Sequence, residues 1–476
     1  MLNYRLFFWP VLLLLLIRSG VTLWQYNFSI ADNDQSLYWL AANDLAHGES
    51  IPAFVYGQDY NYFIEPWLAA LPVFFGVKPE YALPVVTLFM SLLPFLSFAF
   101  DARRRKLNGG ALLWLLVPLL LPSGWWAITA MPRGFVNGLF LFTAWPFIQR
   151  IRRDGLRWLF SGVLFAVAAA VNPNTIPLIV CCGAIELTQY FRRPAFYLLH
   201  LAGAAPFFAA HYFITQHAQQ QPGGLLHPKW GLEWTFDYFA EGITHISQWL
   251  RWIVPGNAGL WLLLPLIFLL GWLLIYQRWR SLVFALTALL LVLVFSLGIN
   301  KLHDGREHLH YPFSRMWLAL PIAAAFLAER IRINRLIALP LFLTTAVLSV
   351  FSFGLPDASQ QSAELPLRIM SVDSLRKQVA ELTAIIEAEK PAAVIGLGYP
   401  AWVGDQQLIF HYAETHMIAP PLFVIPDYER RRERTLLPLR GRILLLGGDE
   451  TQWKEFGEIE KVVNVCGTSS AWVVRR

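Results

Sequence analysis

Long apolar runs, broken by short polar connections, recur along the first 355 residues of the chain. A helix needs about 20 such residues to cross the ~30 Å hydrocarbon core of a bilayer. The first run covers residues 6–26, and others lie at 80–100, 110–130, 134–149, 157–171, 175–190, 196–216, 258–277, 281–299, 314–329 and 335–354. The pattern predicts eleven membrane-spanning helices. Arg5 ahead of the first run imitates a signal peptide. No small-residue cleavage site follows it, and Trp24 and Tyr26 read as interfacial anchors, so this run is expected to remain as a span.

The polar intervals predict the rest. Residues 27–79 form the longest polar interruption of the N-terminal part. Within it, Leu37, Leu40, Ala41, Asp44 and Leu45 recur at helical spacing, which predicts a helix from Gln35 to His47 lying along the membrane surface. Residues 62–77 are apolar but short and hold Pro66 and Pro72, which suits an interfacial or re-entrant helix. Two more outer segments cover 217–257, rich in Trp, Gln and His, and 300–313. From about 356 the pattern becomes that of a water-soluble fold. Val372, Leu375, Val379, Leu382, Ile385 and Ile386 make a helix stripe, and residues 392–398 and 442–448 read as buried strands ending at glycine turns. The expected architecture is an all-α polytopic bundle over 1–355, with outer surface helices and a functional outer loop at 27–79. A small extracytoplasmic α/β domain follows over 356–476. Neither a strict internal repeat nor the paired broken helices of a transporter is visible.

Composition agrees: 56% of residues are hydrophobic and only 15% charged, with 20 Trp and 35 Phe. The net charge of +6 points to membrane orientation and away from nucleic acid. If the N-terminus lies inside, sixteen Lys and Arg fall in connections on the inner side and seven opposite. By the positive-inside bias the N-terminus is then cytoplasmic, and eleven spans leave the 27–79 loop and the C-terminal segment outside. Three cysteines, Cys181, Cys182 and Cys466, cannot build a disulfide framework.

Candidate chemistry gathers in the outer segments. From Asp32 to Glu65 there are six acids and one His but no Lys or Arg. Asp34, at the start of the predicted helix, has the position of a general base at the bilayer boundary; equally, Asp32 or Asp34 caps that helix. Glu65 interrupts an apolar segment, where an ionisable group faces a cavity or a partner, or else reaches back to headgroup water. Asp59 is an assisting acid or a solvated loop residue. The Asp32-x-Asp34 pair offers oxygen ligands for a divalent metal, although such pairs are common. The sequence requires no other cofactor. Cations suited to a phosphate are Lys301, Arg306 and Arg315 in 300–315, joined by Arg18 in the first span and Arg133 in the turn Met131–Gly134. Arg18 faces a cavity or snorkels to the interface. Arg133, Lys301 and the neighbouring His303, His308 and His310 have a plain solvated alternative. The Gly396-x-Gly398 turn lacks the further glycine and acid of a nucleotide site. The basic run 430–434 reads as a solvated face.

The first outer loop resembles that of the polytopic GT-C glycosyltransferases, in particular the bacterial protein-mannosyltransferase and aminoarabinose-transferase branch. In that pattern Asp-Glu opens a surface helix, followed by Tyr-Gly-Gln, a Tyr, and a Glu before Leu-Ala-Ala. Asp34 falls on the first acid, Tyr56-Gly57-Gln58 and Tyr60 on the middle elements, and Glu65 on the last, while Gln35 stands where relatives carry Glu. Arg315 before Trp317-Leu318-Ala319 resembles the Arg that opens a late span. The likeness is specific over about 30–76, looser over the spans, and absent after 356.

The resemblance implies a membrane glycosyltransferase, a hexosyl- or pentosyltransferase of the bacterial inner membrane. Such an enzyme inverts a sugar taken from a polyprenyl-phosphate carrier and delivers it to a lipid, lipopolysaccharide or protein on the outer face. Its catalytic residues would be Asp34, with Glu65 and Asp59. Arg315, Arg306, Lys301, Arg18, Arg133 and Tyr60 would bind substrate. A lipid or glycolipid transporter is the competing reading, and an inactive glycan-binding scaffold a third.

Overall fold

The computed structural model describes residues 4–51, 53–54, 62–220, 233–250, 280–303, 315, 317–330, 369–397, 412–413, 415–416, 422–425, 441–446, 458–465 and 469–475. The spans expected at 258–277 and 335–354 lie outside the described residues. The described chain is mostly helical, and it divides into two compact units. One comprises Met1–Leu23, Thr87–Phe213 and Trp230–Leu355; the other comprises Trp24–Val86, Ile214–Lys229 and Pro356–Arg476.

In chain order, α1 (Tyr4–Thr22) ends in a π-turn, β1 (Ile30–Asp32) follows, and α2 (Asn33–Ala46) and α3 (Ile64–Phe74) form the first loop. The helices α4 (Pro79–Arg104), α5 (Asn108–Leu120), α6 (Ser123–Thr129), α7 (Asn137–Leu141), α8 (Trp145–Ile148), α9 (Asp154–Val171), α10 (Ile176–Tyr190) and α11 (Pro194–Gln220) come next. Among the described residues, four helices are long and apolar enough to cross a membrane: Phe7–Asn27, Pro79–Arg104, Asp154–Val171 and Pro194–His217. The bent pair α5 and α6 makes a fifth if counted as one span. After them come α12 (Phe236–Leu250), α13 (Arg280–Ser296) and α14 (Leu320–Arg330).

The α5–α6 pair departs from the straight span expected at 110–130, because its two halves meet at 94°. Pro122 explains the break: it disfavours helical geometry at the residue before it, and Leu121 is extended with ψ 146. The last carbonyls of α5 lose their helical partners there, which costs several kcal/mol each in hydrocarbon. Arg18 of α1 closes them, with Nη1 donating to Leu119 O at 3.3 Å and Nη2 to Leu121 O at 3.0 Å. Trp126 Nε1 donates to Pro118 O at 3.1 Å, and the guanidinium lies 5.2 Å from the Trp126 ring centre.

The other contacts of this unit are small-residue and ionic. At Gly162 and Gly203 a Cβ would overlap the backbone of the facing helix, so α9 and α11 touch through their main chains. Buried Glu186 of α10 accepts from Gln149 Nε2 at 2.9 Å and Ser161 Oγ at 3.1 Å, with His200 Nε2 at 3.2 Å. Asp101 of α4 binds Arg105 and Arg150, and Glu329 of α14 accepts from Arg105 and from Trp114 Nε1.

The second unit is built on a core that joins chain segments far apart in sequence. β1 pairs antiparallel with β2 (Ile369–Ser371), in the register Ile30↔Ser371 to Asp32↔Ile369. Ser371 then caps α15 (Val372–Glu389), its hydroxyl accepting from Ser374 N at 3.1 Å. The strands β3 (Ala393–Leu397), β4 (Leu422–Ile425), β5 (Arg442–Leu446), β6 (Glu458–Val465) and β7 (Ser469–Arg475) form one sheet in the order β4-β3-β5-β7-β6. The two predicted strands are β3 and β5, parallel neighbours. The α15 stripe Val372, Leu375, Val379, Leu382 and Ile386 is buried as its period requires. It shares one core with Leu37, Trp39 and Ala42 of α2, Ala69 of α3, and Leu444 of β5. Fully burying each large side chain contributes roughly 1.5–3 kcal/mol.

The helix expected to lie on the membrane surface is therefore covered by protein: every residue from Gln35 to Ala42 is buried. By contrast α3 keeps an apolar outer face, with Trp67, Leu71, Phe74 and Phe75 exposed, as an interfacial helix should. Trp24 is 78% exposed as an anchor should be, whereas Tyr26 is buried. A polar knot also lies in this core. Tyr412 OH donates to buried Glu80 Oε1 at 3.1 Å, Arg376 binds the hydroxyls of Tyr412 and Tyr81, and His416 stacks on Tyr412 at 4.2 Å.

Candidate functional site

The acids of the first loop separate into distinct roles. Asp32 is the N-cap of α2: its Oδ1 accepts from Gln35 N at 2.8 Å, and its backbone belongs to β1. This is the capping alternative for Asp32, with an exposure of only 2%. Asp34 sits two residues on, in the first turn of α2, and is half-buried. A helix N-terminus favours a negative charge there. Glu65, in the first turn of α3, is wholly buried, far from the headgroup-water alternative. Asp59 and Tyr60 lie outside the described residues, as do Tyr56, Gly57 and Gln58. The chain on either side of them is pinned by the antiparallel bridge Phe54↔Tyr62, whose rings are 4.6 Å apart. Burial raises the Tyr62 hydroxyl above its ordinary pKa.

One Asp32 oxygen is spent on the helix cap, and no group of three His, Cys, Asp or Glu side chains able to hold a metal exists among the described residues.

The cations fall into three settings. Arg18 occupies two guanidinium N–H groups on the carbonyls of the α5–α6 break. At 4% exposure a snorkelling position does not describe it, and two of its N–H groups complete a broken helix. Arg306 lies outside the described residues, and so does the side chain of Lys301, whose backbone belongs to the 3-10 turn Asn300–His303. Arg133 and Arg315 come together. Both guanidinium groups lie over the Phe135 ring, 5.5 and 4.9 Å from its centre. Arg133, for which a solvated surface was the plain alternative, is only 9% exposed.

The turn that carries Arg133 is held from behind. Gly134 has φ +75, a left-handed conformation that glycine adopts without penalty. Asn172 Nδ2 donates to Gly134 O at 2.9 Å and Asn174 Nδ2 to Phe135 O at 2.5 Å. Sequence reasoning found Arg133 but missed Phe135, Asn172 and Asn174. The signal for the asparagines was Asn-Pro-Asn-Thr standing between two apolar runs, where polar residues need a reason.

Two of the predicted outer segments also meet. Trp234 bridges Ile299, and Asn300 N donates to Glu233 O at 2.9 Å. His303 is buried against α12, not solvated: Nε2 lies 2.7 Å from Leu297 O, Nδ1 3.5 Å from Glu241 Oε2, and the ring 4.8 Å from Tyr238. Its pKa is lowered, first by burial and then by nearby His245, against the opposing Leu297 hydrogen bond.

No protein-family model matches the chain, and no curated protein sequence matches it significantly. Among solved structures, ArnT from Cupriavidus metallidurans in the apo state is similar with TM-score 0.58 at 13% identity, over 99% of this chain and 98% of that one. ArnT from Cupriavidus metallidurans bound to undecaprenyl phosphate is similar with TM-score 0.53 at 10% identity, over 97% of each chain. With four or five helices among the described residues long and apolar enough to cross a membrane, and a likeness spanning nearly its whole length, the chain shares the fold of these ArnT structures.

Proposed function

We propose that this protein is an inner-membrane glycosyltransferase. It takes a sugar from a polyprenyl-phosphate-linked donor and passes it, with inversion, to an acceptor on the outer face. The observation that carries this reading is the likeness, over 97% of each chain, to an ArnT structure that holds undecaprenyl phosphate. The Arg133–Phe135–Arg315 cluster supports it, since guanidinium groups bind phosphate through paired hydrogen bonds.

The reaction is an in-line displacement. The acceptor hydroxyl or amine forms a bond to the anomeric carbon as the bond from that carbon to the phosphate oxygen breaks. Asp34 takes the acceptor's proton, which asks for a base within hydrogen-bond reach of it. Glu65 and Asp59 orient the acceptor. Arg315 and Arg133, with Arg306 and Lys301, receive the charge that develops on the leaving polyprenyl phosphate. Arg18, two of whose five N–H groups serve the α5–α6 break, stays a proposed member of this set. In this reading eleven spans form 1–355, the N-terminus is cytoplasmic, and 356–476 is a small extracytoplasmic α/β domain.

Mass spectrometry of membrane glycolipids and surface glycans tests it. Cells with the intact protein, cells without it and cells carrying Asp34→Asn at equal abundance are compared. Loss of one sugar-bearing product in both altered strains, with build-up of its polyprenyl-linked donor, is expected. A wild-type profile from Asp34→Asn beside an altered one from the deletion would remove Asp34 as the base and favour a transporter.

A further inference from the structure

We infer that Asn172 and Asn174 are positioning residues for the anion held by Arg133 and Arg315, an inference that rests on the phosphate-binding role proposed for those arginines. The connection between α9 and α10 reads Asn172-Pro173-Asn174-Thr175, and Asn172 and Asn174 are 8% and 4% exposed. Two buried carboxamides in so apolar a chain are expensive unless their hydrogen bonds are made. Here both Nδ2 donors are spent on a single object, the backbone on which the Arg133 cluster stands, while Asn174 Oδ1 meets no hydrogen-bond partner among the described residues.

The turn first orders itself. Asn172 Oδ1 accepts from Asn174 N at 3.1 Å, and Thr175 Oγ1 donates to Asn172 O at 2.9 Å. With both side chains thus aimed, Asn172 Nδ2 reaches Gly134 O and Asn174 Nδ2 reaches Phe135 O. These are successive carbonyls of the turn whose first residue is Arg133 and whose last carries the ring under both guanidinium groups. Gly134 at φ +75 lets the chain reverse between the two. The pair therefore sets where the Phe135 ring lies. The ring in turn sets the separation and tilt of two like charges that would otherwise spread apart. A further close approach keeps the clamp in register: a Cβ on Gly138 would overlap the Thr175 methyl and crowd the carbonyls of Ala168 and Asn172.

The test is a double-mutant cycle on the full-length protein in lipid nanodiscs, with undecaprenyl phosphate as the titrated probe. Arg133→Ala and Arg315→Ala are each expected to weaken its binding. Asn174→Ala in the otherwise intact protein is expected to raise Kd about tenfold, the size of one well-placed hydrogen bond. In the Arg133→Ala background the same change is expected to add clearly less, because one of the two guanidinium groups that the ring positions is gone. Phe135→Leu, which keeps both carbonyl hydrogen bonds and removes the ring, reproduces the loss if Asn174→Ala proves too unstable to purify. An undiminished loss in the Arg133→Ala background, or no loss in the intact protein, overturns the positioning role. Unchanged probe binding in Arg133→Ala and Arg315→Ala overturns instead the phosphate reading beneath it.

Discussion

Arg133 and Arg315, distant in sequence, rest against one phenyl ring, that of Phe135. Each contact is worth roughly 0.5–2 kcal/mol, more where water is excluded. The two charges gain from the ring and repel each other, an arrangement that suits a bound anion. Arginine's planar fork matters here as much as its charge. Arg133→Lys and Arg315→Lys keep the charge and lose the paired hydrogen bonds. Each is expected to weaken polyprenyl phosphate binding by roughly tenfold, measured by titration in nanodiscs. Binding equal to that of the unaltered protein would reduce the cluster to a packing device.

Asp32 and Asp34 lie two residues apart and are expected to fail in different ways. Asp32→Ala removes a buried helix cap and should lower unfolding stability by about 1 kcal/mol, within the 0.5–2 kcal/mol range for such caps. Asp34→Asn should lower unfolding stability only by the ~0.3–1 kcal/mol of a helix-end charge and reduce sugar transfer by roughly 10²–10⁴, the range for a lost general base. Thermal unfolding and product formation on the same preparations separate the two; a reversed outcome exchanges their roles.

The Glu80–Tyr412–Arg376 knot makes a stability prediction. Tyr412→Phe leaves a buried carboxylate without its hydroxyl donor, with an expected cost of about 1–3 kcal/mol in denaturant unfolding. Burial, followed by the charge of Glu80, pushes the Tyr412 hydroxyl up to about 12. The native state therefore keeps this proton where the unfolded chain releases it, near pH 10. That contribution is complete below pH 10 and lost as pH rises toward 12. Tyr412→Phe should remove that alkaline step, and an unchanged alkaline profile counts against the assignment.

His303 titrates in the opposite sense. Its folded pKa is lowered, so the unfolded chain binds its proton more readily. Its contribution is present above the unfolded value of about 6.5 and fades as pH falls below it. The groups facing it are Tyr238, Glu241 and His245. Amide protection in α12 and residues 300–303, corrected for the intrinsic base-catalysed exchange rate, should be lower at pH 5.5 than at pH 7.5, an experimental contrast spanning about one unit either side of that value. His303→Gln should flatten the difference; protection that ignores pH in the intact protein would refute the burial argument.

The parts legible in the sequence were those whose cause is local. Four or five of the expected spans follow from apolar length, α2 from its cap and leucine spacing, and α15 from its stripe and Ser371. Pro122 signalled a break that a hydropathy pattern alone passes over. What escaped depends on distant partners. Three-residue β1 carries no periodic signal and exists because β2 pairs with it. The complete burial of α2 follows from a core supplied by α15 and the sheet. Arg18 was legible as an anomaly, but its purpose depended on the α5–α6 bend. Arg133 and Arg315 were each legible as charges; their meeting on Phe135 was not, since nothing local couples them.

The β1–β2 pairing bears on how the protein is made. A ribosome delivers Asp32 early and Ile369 only after the long helical stretch between them, yet the two are register partners. Glu80 likewise waits for Tyr412, 332 residues later. The loop holding the proposed base thus spends most of synthesis without its cover, its apolar residues open to chaperones and proteases. Chains released early, or stopped before residue 369, would carry every proposed catalytic acid on an unfinished scaffold. Under the proposed function, sugar transfer then waits for the end of the polypeptide, because α2, which bears the proposed base, gains its cover last.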